Sequence, residues 1–405
     1  MDVVFLSPAY PPEMLQFTRG LAEVGARVHG VGDTPAHALP EALRARLTSY
    51  LHVPALGDLE DVRRRVLAWL AGRRPDRVES NWEPLTLLAA QLRQDLGLPG
   101  MSVDTVFGFR DKPTMRARVL AAGLRAPRSA RAQTRDEARA AAAAIGFPVV
   151  LKPVDGAGSA DTFRVDDAAG LERALDATAH VRACSVEEFI EGEEFTYETI
   201  CIDGRPVYES VCRYEPNTLV ARQNEWISPI IQSLRSVEDP YVADGVRLGR
   251  DVLRALGMGT GFTHMEWFRL PSGEAVFGEV ACRPPGANMV DLMNYSDDGD
   301  LFREWARAVC HGRFEGVRAR PWSAAIVFKR AQGQGLIRGH QGLGRFVERY
   351  RPHIARLDLL PVGAPRRNWK QTFLSDGNLV VRSADAGHTL RMAREAASGI
   401  RVWAG

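Results

Sequence analysis

The sequence predicts an α/β protein with more than one domain, and three observations support that fold class. Apolar, strand-like runs alternate with helical patterns over residues 1–108, as expected for a parallel sheet with helices on its faces. Residues 262–270 and 275–282 flank a four-residue turn and predict an antiparallel hairpin. The chain has 405 residues, which is enough for two or three domains and a large core.

Local signals place the individual elements. Thr134 is the expected N-cap of an alanine-rich helix that ends at Gly146. Residues 214–233 are polar and predict a mobile active-site loop. No Gly-x-Gly-x-x-Gly follows the first strand, so a dinucleotide site there is unsupported. Strands are predicted at 3–7, 27–31, 77–80, 149–152, 162–165, 186–190, 195–201 and 324–329, and further helices at 112–122, 166–178 and 241–256.

Composition argues against several classes of protein. The 52 basic residues are balanced by 50 acidic ones, so the net charge of +2 favours neither nucleic acid nor a membrane surface as a partner. Five cysteines without a Cys-x-x-Cys pair support neither a zinc site nor a disulfide framework, and a reduced, cytoplasmic compartment fits best. The first residues lack the basic region of a signal peptide, and no apolar run reaches the roughly 18 residues of a membrane span.

Lysine is rare in this chain, with four lysines among the 52 basic residues. A lysine retained where arginine dominates suggests a site that requires a compact ammonium, such as one between phosphate oxygens. Lys152 ends an apolar run and precedes the loop Asp155-Gly-Ala-Gly-Ser159, whose backbone N–H groups are suited to phosphate. Lys112 lies forty residues earlier, at an expected helix start. We interpret Lys152 as functional rather than as a solvated surface residue.

Two glutamates are expected to face each other across the hairpin. Pairing across its turn places Leu270 opposite Ala275, Phe268 opposite Phe277, and Glu266 opposite Glu279. Directly opposed like charges are destabilising, so this pair predicts a cation between the carboxylates. Hard oxygen ligands favour magnesium or manganese over zinc. The alternative is two solvated glutamates on an outer face, which the apolar flanking residues make less attractive.

Two further segments suggest a nucleotide and an anion. Residues 186–194, Val-Glu-Glu-Phe-Ile-Glu-Gly-Glu-Glu, could offer backbone groups to a purine edge and a carboxylate to ribose hydroxyls. Arg283 follows Glu279 by four residues and could clamp a phosphoryl oxygen or a substrate carboxylate.

Taken in order, these features resemble the ATP-grasp superfamily over residues 109–290. That resemblance implies a parallel-sheet domain over residues 1–108, a two-lobed ATP-grasp domain over 109–316 with a lid at about 124–192, and a small C-terminal lobe over 317–405. It also implies ATP and magnesium or manganese as cofactors. The implied ATP-binding residues are Lys112, Lys152, Gly156, Gly158 and Ser159 for phosphates, Glu187, Phe189 and Ile190 for adenine, and Glu194 for ribose. Glu266 and Glu279 would hold the metal, and Arg283 with Lys152 would be catalytic.

The resemblance is incomplete at two positions. The family usually has Glu-x-Asn-x-Arg at the second metal carboxylate, whereas this chain has Ala281 in place of asparagine. Asn288, in the following loop, could supply the missing oxygen. The glycine loop continues Ser159-Ala-Asp-Thr162, where a second glycine is commoner.

The resemblance implies an ATP-dependent carboxylate–amine ligase that forms an amide or peptide bond through an acylphosphate. The alternatives are a biotin carboxylase-like or other carboxylating enzyme and, because of Ala281, a nucleotide-binding regulator without catalysis. The expected partners are a small carboxylate and a small amine, with a homodimer possible. Candidate substrate contacts are Arg222, Trp226 and His264.

Overall fold

The computed structural model describes residues 1–154, 161–316, 319–372 and 374–405. Hydrogen bonds join the strands of these residues into four sheets. None of the helices in the described ranges is long and apolar enough to cross a membrane.

The N-terminal sheet is parallel, with strand order β3-β2-β1-β4. Val3, Val4 and Phe5 are fully buried, as is typical of a parallel strand covered on both faces. The predicted alternation of strands and helices is confirmed here. The elements are β1 (Asp2–Leu6), α1 (Met14–Glu23), β2 (Arg27–Gly32), α2 (Glu41–Arg44), β3 (Leu47–His52), α3 (Leu59–Leu70), β4 (Arg77–Glu79) and α4 (Thr86–Leu96).

A four-stranded antiparallel sheet with order β5-β8-β6-β7 follows two connecting helices. The predicted cap is confirmed: Thr134 accepts a hydrogen bond from the Glu137 backbone, and the Glu137 side chain reaches back to complete a capping box. The elements are α5 (Val103–Arg110), α6 (Lys112–Ala121), β5 (Ser129–Ala132), α7 (Arg135–Ile145), β6 (Val149–Pro153), β7 (Phe163–Val165), α8 (Ala168–Ala177) and β8 (Cys184–Glu188).

The central sheet has eight strands in the order β13-β12-β9-β10-β11-β14-β18-β17. A separate three-stranded sheet has the order β15-β19-β16. The elements up to residue 311 are β9 (Glu193–Ile202), β10 (Arg205–Glu215), α9 (Thr218–Gln223), β11 (Ile230–Ser233), α10 (Ala243–Leu256), β12 (Gly261–Arg269), β13 (Ala275–Ala281), α11 (Met289–Asp297) and α12 (Leu301–His311). The remaining elements are β14 (Ser323–Phe328), β15 (Gln332–Gly333), β16 (Ile337–Gln341), α13 (Leu343–Tyr350), β17 (Ile354–Leu359), β18 (Gly377–Ser383), α14 (Ala386–Gly399) and β19 (Arg401–Ala404).

One face of the central sheet is apolar and packs against α10. Tyr197 and Trp267 are fully buried in this core. Gly245 and Gly249 allow α10 to approach the sheet closely. A Cβ at Gly245 would lie only 2.2 Å from the Trp267 side chain, and a Cβ at Gly249 only 2.3 Å from the Tyr197 side chain. Because side chains alternate along a strand, the residues next to Tyr197 on β9 and next to Trp267 on β12 point to the opposite face of the sheet.

The hairpin register differs in part from the predicted one. Glu266 does face Glu279, as predicted, but Ala275 pairs with Arg269 and Phe277 with Trp267, so the two other predicted pairings are wrong. A β-bulge at Gly278 absorbs the one-residue difference. It places the Phe277 ring in the core and the following carboxylate on the opposite face.

The prediction of a mobile loop over residues 214–233 is also wrong. The segment instead completes β10, forms the short helix α9 and ends in β11, which pairs with both β10 and β14. Its final residues, Ile230 to Ser233, are all buried, so they serve as an interior strand of the central sheet. Gln232 on this strand donates a hydrogen bond to the Ser323 hydroxyl.

Candidate active site

Acidic side chains alternate along the face of the central sheet that lies opposite α10. On β9 they are Glu194 and Glu198, and on the neighbouring β12 Glu266 pairs with Thr196 between them. Glu279 of β13 lies directly across from Glu266. Strand alternation thus gathers four carboxylates on one surface.

Lys112 reaches this surface from the first turn of α6. Its Nζ lies 2.9 Å from a carboxylate oxygen of Glu279. Burial works to lower the pKa of Lys112, but the charges of Glu279, Glu187 and Glu266 outweigh it and raise that pKa above its ordinary value. Burial likewise works to raise the pKa of Glu279, and Lys112 outweighs it, so that pKa is lowered. Both groups are therefore charged at neutral pH.

Lys152 makes a second lysine–glutamate pair, on β6. Its Nζ lies 2.8 Å from Glu187, and Arg116 of α6 lies 2.9 Å from the other carboxylate oxygen. The Ser185 hydroxyl also donates to Glu187. Burial works to raise the pKa of Glu187, but the two cations outweigh it and lower that pKa to about 2. One buried carboxylate thus holds two cations, Lys152 and Arg116.

Glu194 is the second residue of β9 and is buried. The backbone N–H of Thr218, at the start of α9, donates to its carboxylate. Burial, and then the nearby charge of Glu266, raise the pKa of Glu194. The carboxyl is therefore placed where any further cation or hydrogen-bond donor would stabilise its charged form.

Arg283 follows β13 and turns back toward the N-terminal sheet. Its Nη2 and Nε donate to Glu83 at 2.7 and 3.0 Å, and Arg110 contacts the same carboxylate. Burial works to lower the pKa of Arg283, but Glu83 outweighs it and raises that pKa. Glu83 lies just after β4, at the carboxyl end of the parallel sheet, where ligands bind in open α/β sheets.

His264 lies behind Glu266 on β12. Its Nδ1 is 3.0 and 3.1 Å from the two carboxylate oxygens of the fully buried Glu198. Its Nε2 is 3.7 Å from Glu266. Burial works to lower the pKa of His264, but Glu198 outweighs it and raises that pKa to about 10.

The opposed carboxylates suit a hard divalent cation. Glu266 and Glu279 offer oxygen ligands. Their negative charges repel that of the nearby Glu194, and a bound cation would reduce this repulsion. Within the described ranges, no three His, Cys, Asp or Glu side chains converge as a ready-made metal site, and Glu279 instead contacts Lys112. Two carboxylate ligands fit magnesium or manganese. Glu279 would have to break its contact with Lys112 to bind such an ion.

The other predicted residues occupy varied positions. Phe189 lies under the Arg164 guanidinium, 4.3 Å from its ring centre, and Ile190 is buried. Asn288 caps α11 in the left-handed region, and its buried Nδ2 has no hydrogen-bond partner in the described part of the chain. Of the other substrate candidates, Arg222 of α9 donates to the Lys370 carbonyl, and Trp226 is 73% exposed. Gly156, Gly158 and Ser159 lie outside the described residues.

Three residues of this constellation were not predicted from the sequence. Arg116 could have been found from its spacing of one helical turn from Lys112. Glu198 could have been found from its alternation with Glu194 on one strand face. Glu83 had only its position after β4 as a signal, since its contact with Arg283 joins residues 200 apart.

Comparison with known proteins identifies a family. The model of the ATP-grasp domain matches residues 117–296. The chain is 31% identical over 281 residues to the formate-dependent phosphoribosylglycinamide formyltransferase of Synechococcus sp. (strain WH7803), covering 65% of this chain and 68% of that protein. It is 25% identical over 221 residues to the L-arginine-specific L-amino acid ligase of Bacillus subtilis, covering 53% of this chain and 52% of that protein. The chain spans about half the length of several curated relatives that it matches.

Solved structures share the fold. An L-amino acid ligase from Bacillus licheniformis superposes with a TM-score of 0.78 at 19% identity, covering 100% of this chain and 98% of that one. An N5-carboxyaminoimidazole ribonucleotide synthetase from Thermotoga maritima superposes with a TM-score of 0.73 at 17% identity, covering 100% and 99%. At these identities the similarity concerns the fold.

Proposed function

The chain belongs to the ATP-grasp superfamily, and we propose that it is an ATP-dependent carboxylate–amine ligase that forms an amide or peptide bond. The observation that carries the proposal is the opposed pair Glu266 and Glu279, with Lys112 at one side and Arg283 four residues beyond. ATP would phosphorylate the substrate carboxylate to an acylphosphate, releasing ADP. The amine would then attack the acyl carbon and release phosphate.

The residues have separate roles in this proposal. Lys112 and Lys152 bind the ATP phosphates together with the loop that contains Gly156, Gly158 and Ser159. Glu187, Phe189 and Ile190 border the adenine, and Glu194 accepts from the ribose hydroxyls. Glu266 and Glu279 would hold magnesium or manganese, which when bound neutralises phosphate charge. Arg283, positioned by Glu83, stabilises the negative charge that develops on the oxygens of the reacting carbon or phosphorus.

The relatives favour two substrate classes within this chemistry. L-amino acid ligases among the relatives and neighbours favour an amino acid as the amine. A formyltransferase at 31% identity over 68% of its length favours formate with a phosphoribosylated amine as the second candidate. The division at residues 108 and 316 and a cytoplasmic location belong to the same proposal.

Phosphate release from ATP tests the proposal directly. The protein is incubated with ATP and magnesium against pooled amino acids, formate with phosphoribosylglycinamide, and bicarbonate. Substrate-dependent release of phosphate and ADP that Glu279→Gln abolishes is expected. Glu274→Gln, on the exposed turn of the same hairpin, is the matched control and should keep full activity. Tight ATP binding with no substrate-dependent phosphate from any pool would instead support a nucleotide-binding regulator.

A further inference from the structure

The strand order of the N-terminal sheet reverses between β1 and β4. The chain places β2 and β3 on one side of β1 and then crosses to place β4 on the other side. In open α/β sheets, ligands bind outside the carboxyl ends of the two strands at such a reversal. Residues 7–13 follow β1 and residues 80–83 follow β4, so both segments border this crevice. Because Glu83 holds Arg283, the crevice adjoins the proposed active site.

The turn between β1 and α1 is unsuited to phosphate. The start of a helix binds phosphate through backbone N–H groups that have no other partner. Here Pro11 and Pro12 have no N–H. The N–H groups of residues 14–16, in the first turn of α1, each donate to the carbonyl three residues earlier. Glu13 is the N-cap residue of α1, so a phosphate would meet a carboxylate rather than free N–H donors.

The same crevice presents two aromatic rings. Tyr10 packs edge-on against Trp82, with ring centroids 5.2 Å apart and ring planes at 87°. Tyr10 is 57% exposed, so much of its apolar surface remains uncovered. Residues 7–13 and 80–83 contain no Lys, Arg or His that would pair with a phosphate. A third aromatic ring, in contrast, packs favourably against such a pair.

Asn81 adds a polar group beside the rings. The residue is 6% exposed, and its Nδ2 has no hydrogen-bond partner in the described part of the chain. A buried amide donor without an acceptor costs free energy, and an oxygen atom of a bound substrate would reduce that cost. An amino acid with an aromatic side chain offers both an apolar ring and carboxylate oxygens.

We infer that the amino acid substrate has an aromatic side chain, which packs against Tyr10 and Trp82. The inference rests on the proposed function and chooses between its two substrate classes, since it favours an amino acid over a phosphoribosylated amine. Tyr10→Ala should lower kcat/KM for phenylalanine by about tenfold. The change should appear mainly in KM, because a side-chain contact away from the reacting atoms is the same before and in the transition state.

Phosphate release with ATP and magnesium tests the substrate and the two rings together. L-Phenylalanine or L-alanine is varied against a fixed pool of the other amino acids, and formate with phosphoribosylglycinamide is assayed separately. We expect kcat/KM to be higher for phenylalanine by about tenfold or more. Tyr10→Ala should remove most of this preference, and Tyr10→Phe should keep it. Trp403→Ala, at an exposed ring of the separate three-stranded sheet, is the control.

The remaining outcomes would overturn the inference, and they are distinguishable. Phosphate release that phenylalanine stimulates no more than alanine does, or that needs formate with phosphoribosylglycinamide, would reject the aromatic substrate and leave an ATP-dependent ligase standing. A phenylalanine preference that is unchanged in Tyr10→Ala would remove the two rings from substrate binding. The comparison of substrates on the wild type gives a result even if a variant does not fold. No substrate-dependent phosphate in any assay would contradict the proposed function, and the substrate assigned here with it.

Discussion

The two lysine–glutamate pairs of this site contain the same chemical groups but differ in how deeply they are buried. Lys152 and Glu187 are mostly buried, with side-chain exposures of 24% and 9%, and Arg116 joins them. Lys112 and Glu279, here called the open pair, are more exposed, with exposures of 37% and 45%. The buried pair has more positive than negative charge and is held from several sides, whereas the open pair can separate. We therefore expect Glu187 to act mainly through stability and Glu279 mainly through catalysis.

The largest effect should come from the open pair. Glu279→Gln is expected to reduce phosphate release by about 10²–10³-fold, because it removes a charge that opposes Glu266 across the hairpin and is suited to a metal. Its melting temperature should change little, since the carboxylate is half exposed. Steady-state phosphate release and thermal unfolding of the same sample measure both quantities. A large drop in melting temperature would contradict the expectation that Glu279 acts mainly through catalysis.

The buried pair should show its effect in stability and in its dependence on pH. The pKa of Glu187 is lowered to about 2, so its contribution is present above the ordinary glutamate value near 4.5 and is lost as pH falls toward 2. A shift of this size corresponds to about 3 kcal/mol. Glu187→Gln should therefore be less stable than the wild type by about 3 kcal/mol at pH 6. At pH 3 this loss of stability should be smaller than at pH 6 by roughly 2 kcal/mol. Urea unfolding at the two pH values measures the difference; a gap that is constant with pH would contradict the assignment.

The bulge that orients the open pair gives a third test. A Cβ at Gly278 would lie 2.7 Å from the Glu266 carbonyl oxygen, so Gly278→Ala should cost about 1–3 kcal/mol and displace Glu279. Gly344→Ala is the matched control, because nothing lies within 4 Å of a Cβ there and the residue is helical. We expect the control to be neutral or slightly stabilising. Equal stability of both variants in chemical unfolding would show that the bulge tolerates a side chain.

The smallest effect is expected from the lysine of the open pair. Lys112→Gln should change the free energy of unfolding by less than about 1 kcal/mol, as is usual for solvent-exposed ion pairs. Lys152→Gln removes one of the two cations on a buried carboxylate and should cost more. Denaturant titrations of the two variants compare them, and the reverse order of stability would argue that burial does not separate the pairs.

Much of the fold was predictable, because local signals and tertiary structure agree. The parallel strands near residues 3, 27 and 77 and the cap at Thr134 were predicted where the structure has them. The segment 214–233 was not: Arg222 and Gln223 lie on the short helix α9, and Gln232 is buried on the interior strand β11, where it donates to Ser323. Polarity alone does not distinguish such a strand from a loop.

The sequence by itself determined the hairpin and the strands that carry Glu266 and Glu279, because a short turn between two apolar runs is a local signal. The turn alone does not make the two glutamates meet: the observed pairing of Arg269 with Ala275, continued regularly, would place Gly278 opposite Glu266, and the bulge at Gly278 brings Glu279 there instead. Only the tertiary structure decided that Glu83 holds Arg283 across 200 residues and that Glu198 supports His264. Strand alternation and turn length are local and readable, whereas contacts between separate elements depend on how sheets and helices pack, which no local pattern encodes.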